Sequence, residues 1–121
     1  MVLSADNQQM VIDETLSHRP SQLCISSITL AELRFGADAK GSRRLHHVID
    51  TLVLSLAVLP FGQTAADQFG PVASALARRG EPIGTFDTLI AAHAWSCGLT
   101  LVTNNTKHFR RVTGLKTANW I

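Results

Sequence analysis

Residues 82–94 read Pro82-Ile83-Gly84-Thr85-Phe86-Asp87-Thr88-Leu89-Ile90-Ala91-Ala92-His93-Ala94, and this stretch decides the fold. Pro82-Ile83-Gly84 forms a tight loop, and a helix follows from Phe86 to about Cys97, with Gly98 placed as its C-terminal cap. Directly after it, Leu99 to Val102 is an apolar strand, Thr106 to Arg111 a short helix, and Gly114 to Ala118 a last extended piece. Upstream, Thr64 to Arg79 is a long helix with Ala65, Phe69, Val72, Ala73 and Leu76 on one face, stopped by Gly80. Before it come a strand from Leu56 to Leu59 ended by Pro60, a helix from Arg43 to about Leu54, and a helix from Leu30 to Ala39 closed by Gly41-Ser42. Leu23 to Ser27 is short, apolar and suited to a strand, and residues 8–18 have helical spacing up to Arg19-Pro20. Strands alternating with helices imply an α/β fold, a parallel sheet covered by helices on both faces.

The 121 residues suit one domain, 1–121, and the 45% hydrophobic and 17% charged content is that of an ordinary globular chain. The longest apolar stretch, Leu52 to Phe61, is broken by Ser55 and Pro60, so no membrane span is expected. The first residues have neither the basic start nor the apolar core of a secretory signal, and a cytoplasmic protein is expected. Cys24 and Cys97 are expected as two buried free thiols. Net charge is only +2, but it is unevenly spread: every acid lies at or before Asp87, while the tail carries Lys107, Arg110, Arg111 and Lys116. The pairs Arg43-Arg44, Arg78-Arg79 and Arg110-Arg111 either converge into a phosphate-binding rim or are solvated helix faces.

In a parallel α/β sheet, ligands gather beyond the carboxyl ends of the strands, where the next helices begin. Three chemistry-bearing residues stand at such junctions: Glu32 after the strand Leu23–Ser27, Asp87 after the Gly84 loop, and Asn105, with Asn104, after the strand Leu99–Val102. Each also has a purely structural reading. Thr29-Leu30-Ala31-Glu32 matches a capping box, Thr85 and Asp87 could serve as cap and dipole partner, and Asn105 could cap the short helix.

The sequence around these positions is distinctive. Cys24-Ile25-Ser26-Ser27-Ile28-Thr29-Leu30-Ala31-Glu32-Leu33 with Gly36-Ala37, the 82–94 stretch, and Leu101-Val102-Thr103-Asn104-Asn105-Thr106-Lys107-His108-Phe109 with Val112, Gly114-Leu115 and Asn119-Trp120 together resemble the VapC-type PIN-domain toxins of bacterial toxin–antitoxin pairs. Order and spacing hold across nearly the whole chain. The resemblance implies a PIN-like fold and a Mg²⁺- or Mn²⁺-dependent endoribonuclease acting on RNA. It also implies inhibition by a cognate antitoxin and a homodimer. It makes Glu32 and Asp87 metal ligands and gives Asn105 a catalytic place that many PIN domains fill with Asp. A hard cation of this kind takes carboxylate and water oxygens, polarises the scissile phosphate and lowers the pKa of a water that attacks in line.

The start departs from that pattern. The family begins with a central strand ending in an Asp-Thr-Asn or Asp-Thr-Ser turn, whereas here Met1-Val2-Leu3-Ser4-Ala5-Asp6-Asn7 leads too soon into the Cys24 motif for Asp6 to take that acid's role. The expectation is therefore a domain truncated at its N-terminus, lacking the first central strand and its Asp. Two carboxylates then hold the ion weakly, which opens an alternative: a catalytically impaired PIN remnant that binds an antitoxin or dimerises without cutting. A phosphodiesterase or DNA nuclease using the same pocket is a third reading. Of the remaining residues, His93, six positions after Asp87, is assigned to packing or surface, and His46-His47 to solvent. The cysteines have no zinc spacing with any histidine. Trp95 and Trp120 are read as core or edge anchors, and Thr103 either orients a metal water or does not.

Overall fold

The computed structural model describes residues 2–3 and 23–119. The helix expected over 8–18, Asp6-Asn7 and Trp120 lie outside these residues. Among the described residues five strands form one sheet: β1 (Val2–Leu3), β2 (Cys24–Ser26), β3 (Ala57–Leu59), β4 (Leu101–Val102) and β5 (Thr117–Ala118). All pairings are parallel and the order is β3-β2-β1-β4-β5. The helices are α1 (Ser27–Ala39), α2 (Arg43–Ser55), α3 (Gln63–Arg78), α4 (Thr85–Ser96) and the single turn α5 (Thr106–Phe109).

The order corrects one expectation. The first central strand is present: Val2–Leu3 aligns with Cys24–Ile25 on one side and with Leu101–Val102 on the other. Two residues are too short to show a period, so the pattern of the sequence could not reveal this strand. The demand comes from the neighbours, because β2 and β4 would otherwise each present a row of unpaired N–H and C=O groups inside the sheet.

Alternation along the strands sends successive side chains to opposite faces. Cys24 and Leu101 join a buried cluster with Val72 and Leu76 of α3, Ile90 and Ala94 of α4, and Phe109 of α5. Their neighbours Ile25 and Val102 join a second cluster with Leu33 and Ala37 of α1 and Ile49 and Leu52 of α2. The sheet is therefore covered on both faces as expected, by α1 and α2 on one side and α3, α4 and α5 on the other. Each fully buried aliphatic or aromatic side chain in these clusters contributes roughly 1.5–3 kcal/mol.

Helix starts set the register of the loops. The hydroxyl of Ser26 accepts from the Ile28 N–H at 3.1 Å, so α1 begins three residues earlier than the expected Leu30. Ser42 caps α2 in the same way, accepting from the Leu45 N–H at 3.1 Å. On the outer surface Arg34 reaches across from α1 to α2, with Nη2 donating to Asp50 Oδ1 at 2.6 Å, and this contact holds the Asp50 carboxyl below its ordinary range. Arg34 also lies 2.9 Å from His46 Nδ1, and because a guanidinium only donates, the His46 proton stands on Nε2, 2.7 Å from Asp38 Oδ1. His46 is thus a bridging residue, and only His47 is the solvated histidine expected for both. The thiols also divide. Cys24 is buried, which raises its pKa, whereas Cys97 is exposed at the end of α4, where its turn of backbone leaves the core. Trp95, expected as an anchor, is 41% exposed. Among the described residues no helix is long and apolar enough to cross a membrane.

Candidate functional site

The entry into α4 is built on Gly84, whose φ of 95° and ψ of 157° lie in a region essentially reserved for glycine. Gly84 is the cap residue and caps through its backbone alone, its carbonyl accepting from the Thr88 N–H at 3.0 Å and from the Thr88 hydroxyl at 2.5 Å. Thr85 is therefore inside the helix, not its cap, and Asp87 falls in the first turn with its carboxylate about one-fifth exposed.

At the end of β4 the chain turns at the buried Thr103, whose hydroxyl accepts from the Asn105 N–H at 3.0 Å. That contact is a turn of the kind serine and threonine favour, so the Thr103 hydroxyl shapes the loop. Asn105 occupies the cap position of α5 without capping by its side chain; its Nδ2 lies instead 3.1 Å from His108 Nδ1. The same Nδ1 is 3.4 Å from Asp87 Oδ2. With its proton on Nδ1 the ring donates to the carboxylate; with the proton on Nε2 it accepts from the Asn105 amide. Asp87, Asn105 and His108 thus converge from the starts of two helices. Sequence alone assigns His108 no role. Its signal was the three-residue spacing from Asn105, which brings both to one face of a helical turn.

Glu32 stands on another element. It lies in α1, which packs against α4, and its Oε1 is shielded from solvent. The capping-box reading of Glu32 does not hold: Ser26 is the cap and Thr29 is fully buried inside the helix, so Glu32 lies a turn beyond the capping position. His93 is placed by packing, as expected. It is buried, its Nδ1 is 2.7 Å from Ser26 Oγ, and its ring meets Phe61 edge-on at 5.4 Å. Burial pushes its pKa down.

A carboxylate and an amide beyond the carboxyl ends of parallel strands, with a second carboxylate on the adjoining helix, is the arrangement at which the known proteins enter. The PIN domain model matches residues 1–115. The chain belongs to the PIN-domain family. A relative from Shigella flexneri, the tRNA(fMet)-specific endonuclease VapC, is 40% identical over 98% of this chain and 91% of its own length. Ribonuclease VapC2 of Haemophilus influenzae is 42% identical over 83% of this chain and 76% of its own. Among solved structures, DNA-bound VapBC from Salmonella typhimurium superposes with a TM-score of 0.90 at 35% identity, covering 99% of this chain and 97% of that one. VapBC2 from Rickettsia felis, also bound to DNA, gives 0.83 at 31% identity over 99% and 98%. The likeness is thus to VapC-type PIN domains, as the sequence motifs implied.

The donor chemistry of this PIN domain suits a hard divalent cation. Asp87 offers carboxylate oxygens, and Asn105 carries an amide whose nitrogen meets the same His108 Nδ1, with Glu32 on the adjoining helix. Among the described residues no three His, Cys, Asp or Glu side chains form a closed ligand group. That is compatible with an ion such as Mg²⁺, which keeps several waters and needs only one or two carboxylates.

Proposed function

We propose that this chain is a metal-dependent endoribonuclease, the toxin half of a toxin–antitoxin pair. The observation that carries the reading is the convergence of Asp87, His108 and Asn105 in a PIN domain whose relatives are named as ribonucleases. Asp87 and Glu32 would hold Mg²⁺ or Mn²⁺, with Asn105 close by. Such an ion supplies charge stabilisation to the phosphate and makes water acidic enough to attack near neutral pH. The chain's own part is positional: His108 Nδ1, 3.4 Å away, orients the Asp87 carboxylate, and Gly84 fixes the helix start that carries it. RNA is the substrate, which puts the activity in the cytoplasm. The neighbouring VapBC structures support an antitoxin as the partner that silences it. A homodimer is the expected assembly.

The test is cleavage of tRNA(fMet), chosen because the Shigella flexneri relative is named for it, with Mg²⁺ or Mn²⁺ and an EDTA control. Cutting that EDTA stops and Asp87→Asn abolishes supports the reading. Cutting that survives EDTA defeats it. The alternative reading is the impaired remnant that binds an antitoxin without cutting. Calorimetric titration with Mn²⁺ that shows no binding, together with no cleavage, would select it.

A further inference from the structure

One basic pair and one member of another converge. Arg79, at the end of α3, and Arg110 and Arg111, just past α5, line a cleft of about 580 Å³ together with Lys107 and Glu81. Four cations therefore face a single carboxylate. The two inner arginines are tied into the framework. Arg79 Nη2 donates to the Arg111 carbonyl and Nη1 to the Thr113 hydroxyl at 3.0 Å. Arg111 Nη1 donates to the Pro82 carbonyl at 3.2 Å. Glu81 sits between them, 4.0 Å from Arg79 Nε and 3.9 Å from Arg111 Nε, and offsets part of their charge. Lys107 and Arg110 are different. Both are exposed, and among the described residues neither has an ion pair or a side-chain hydrogen bond.

The cleft and the candidate active site share one short element. In α5 and its cap, Asn105 and His108 turn toward Asp87, while Lys107, between them in sequence, turns to the cleft and Arg110 follows directly. A polyanion approaching Asp87 and Glu32 meets repulsion from those carboxylates, and binding has to come from cations beside them. We infer that the cleft is a phosphate-binding subsite for the RNA strand that leaves the Asp87 site, with Lys107 and Arg110 as its contacting residues and Glu81 setting the two inner arginines in place. This rests on the ribonuclease reading above for the identity of the polyanion. An acidic segment of a partner protein would suit the same charges, but the joining of cleft and site through one turn favours the strand whose phosphate is cut there.

Single-stranded RNA carrying a fluorescent label, titrated with the intact protein in EDTA, measures this without any cleavage. Replacing both Lys107 and Arg110 by alanine removes two phosphate contacts. The slope of log K against log salt should then fall by about 1.4, and binding should weaken roughly tenfold near 0.15 M salt. Lys107→Glu with Arg110→Glu should weaken it further, while the circular dichroism of both variants stays that of the parent. An unchanged slope and affinity in the alanine variant overturns the subsite, even where the parent cuts RNA and the ribonuclease reading stands. Cleft-dependent binding by a parent that cuts nothing with Mn²⁺ supports the subsite and defeats the ribonuclease reading instead. Poly-glutamate of equal length that binds as tightly as the RNA, with the same dependence on Lys107 and Arg110, overturns the assignment in favour of an acidic protein segment.

Discussion

His93 Nδ1 lies 2.7 Å from the hydroxyl of Ser26, which itself accepts from the Ile28 N–H, so one serine caps α1 and pins α4 across the sheet edge. Burial lowers the His93 pKa from 6.5, so the unfolded chain takes up a proton here before the folded one does. The stability His93 contributes is complete above pH 6.5 and is lost as pH falls through the lower folded value. Denaturation midpoints should therefore drop on acidification below that pH, and His93→Gln, which does not titrate, should flatten that part of the profile. An identical acid slope in the variant would show that other groups carry it.

Gly84 combines φ 95° and ψ 157° with open space where a Cβ would stand, so any cost of Gly84→Ala is conformational and not steric. The expected destabilisation is roughly 1–3 kcal/mol by chemical denaturation. Cleavage should fall by more than the unfolded fraction explains, since the cap sets where Asp87 stands. A variant as stable and active as the parent would contradict the backbone argument.

Under the proposed function Asp87 is a ligand and His108 the residue that orients it, and the two are separable by experiment. Asp87→Asn should remove cleavage, while His108→Ala should reduce metal affinity by about 10–100-fold, the usual effect of losing a ligand's hydrogen-bond partner. Both side chains are partly exposed, about 22% and 25%, so melting temperatures should hardly move. Mn²⁺ titration of His108→Ala with unchanged affinity would reduce the 3.4 Å contact to a surface ion pair.

Phe109 is fully buried between α4, β4 and the chain end, while Leu54 on α2 is 88% exposed. Phe109→Ala should cost about 3–5 kcal/mol, and Leu54→Ala should stay within about 0.5 kcal/mol. Paired urea denaturation curves measure both. Comparable losses would mean that Leu54 is covered in solution, which fits a docked second copy.

Much of this protein could be read from local pattern. Apolar spacing located α2, α3 and α4 to within a residue or so, because helical faces repeat over many positions and errors average out. The junctions carrying Asp87 and Asn105 were equally legible, since glycine and asparagine mark turns by their own backbone preferences, whereas Glu32, read at a junction, stands well inside α1 because the helix starts at Ser27. The rest needed the folded chain. Val2–Leu3 is placed by the pairing demands of β2 and β4, which no property of two residues can express. The capping box at Thr29 gives way to Ser26, whose own hydroxyl caps α1 three residues earlier and leaves Thr29 buried inside the helix. His108 meets Asp87, and Arg79 meets Arg111, only when distant elements pack. Helix and turn preferences are set by neighbours along the chain, whereas charges meet where the burial of Phe109, Val112 and Leu76 brings their backbones together.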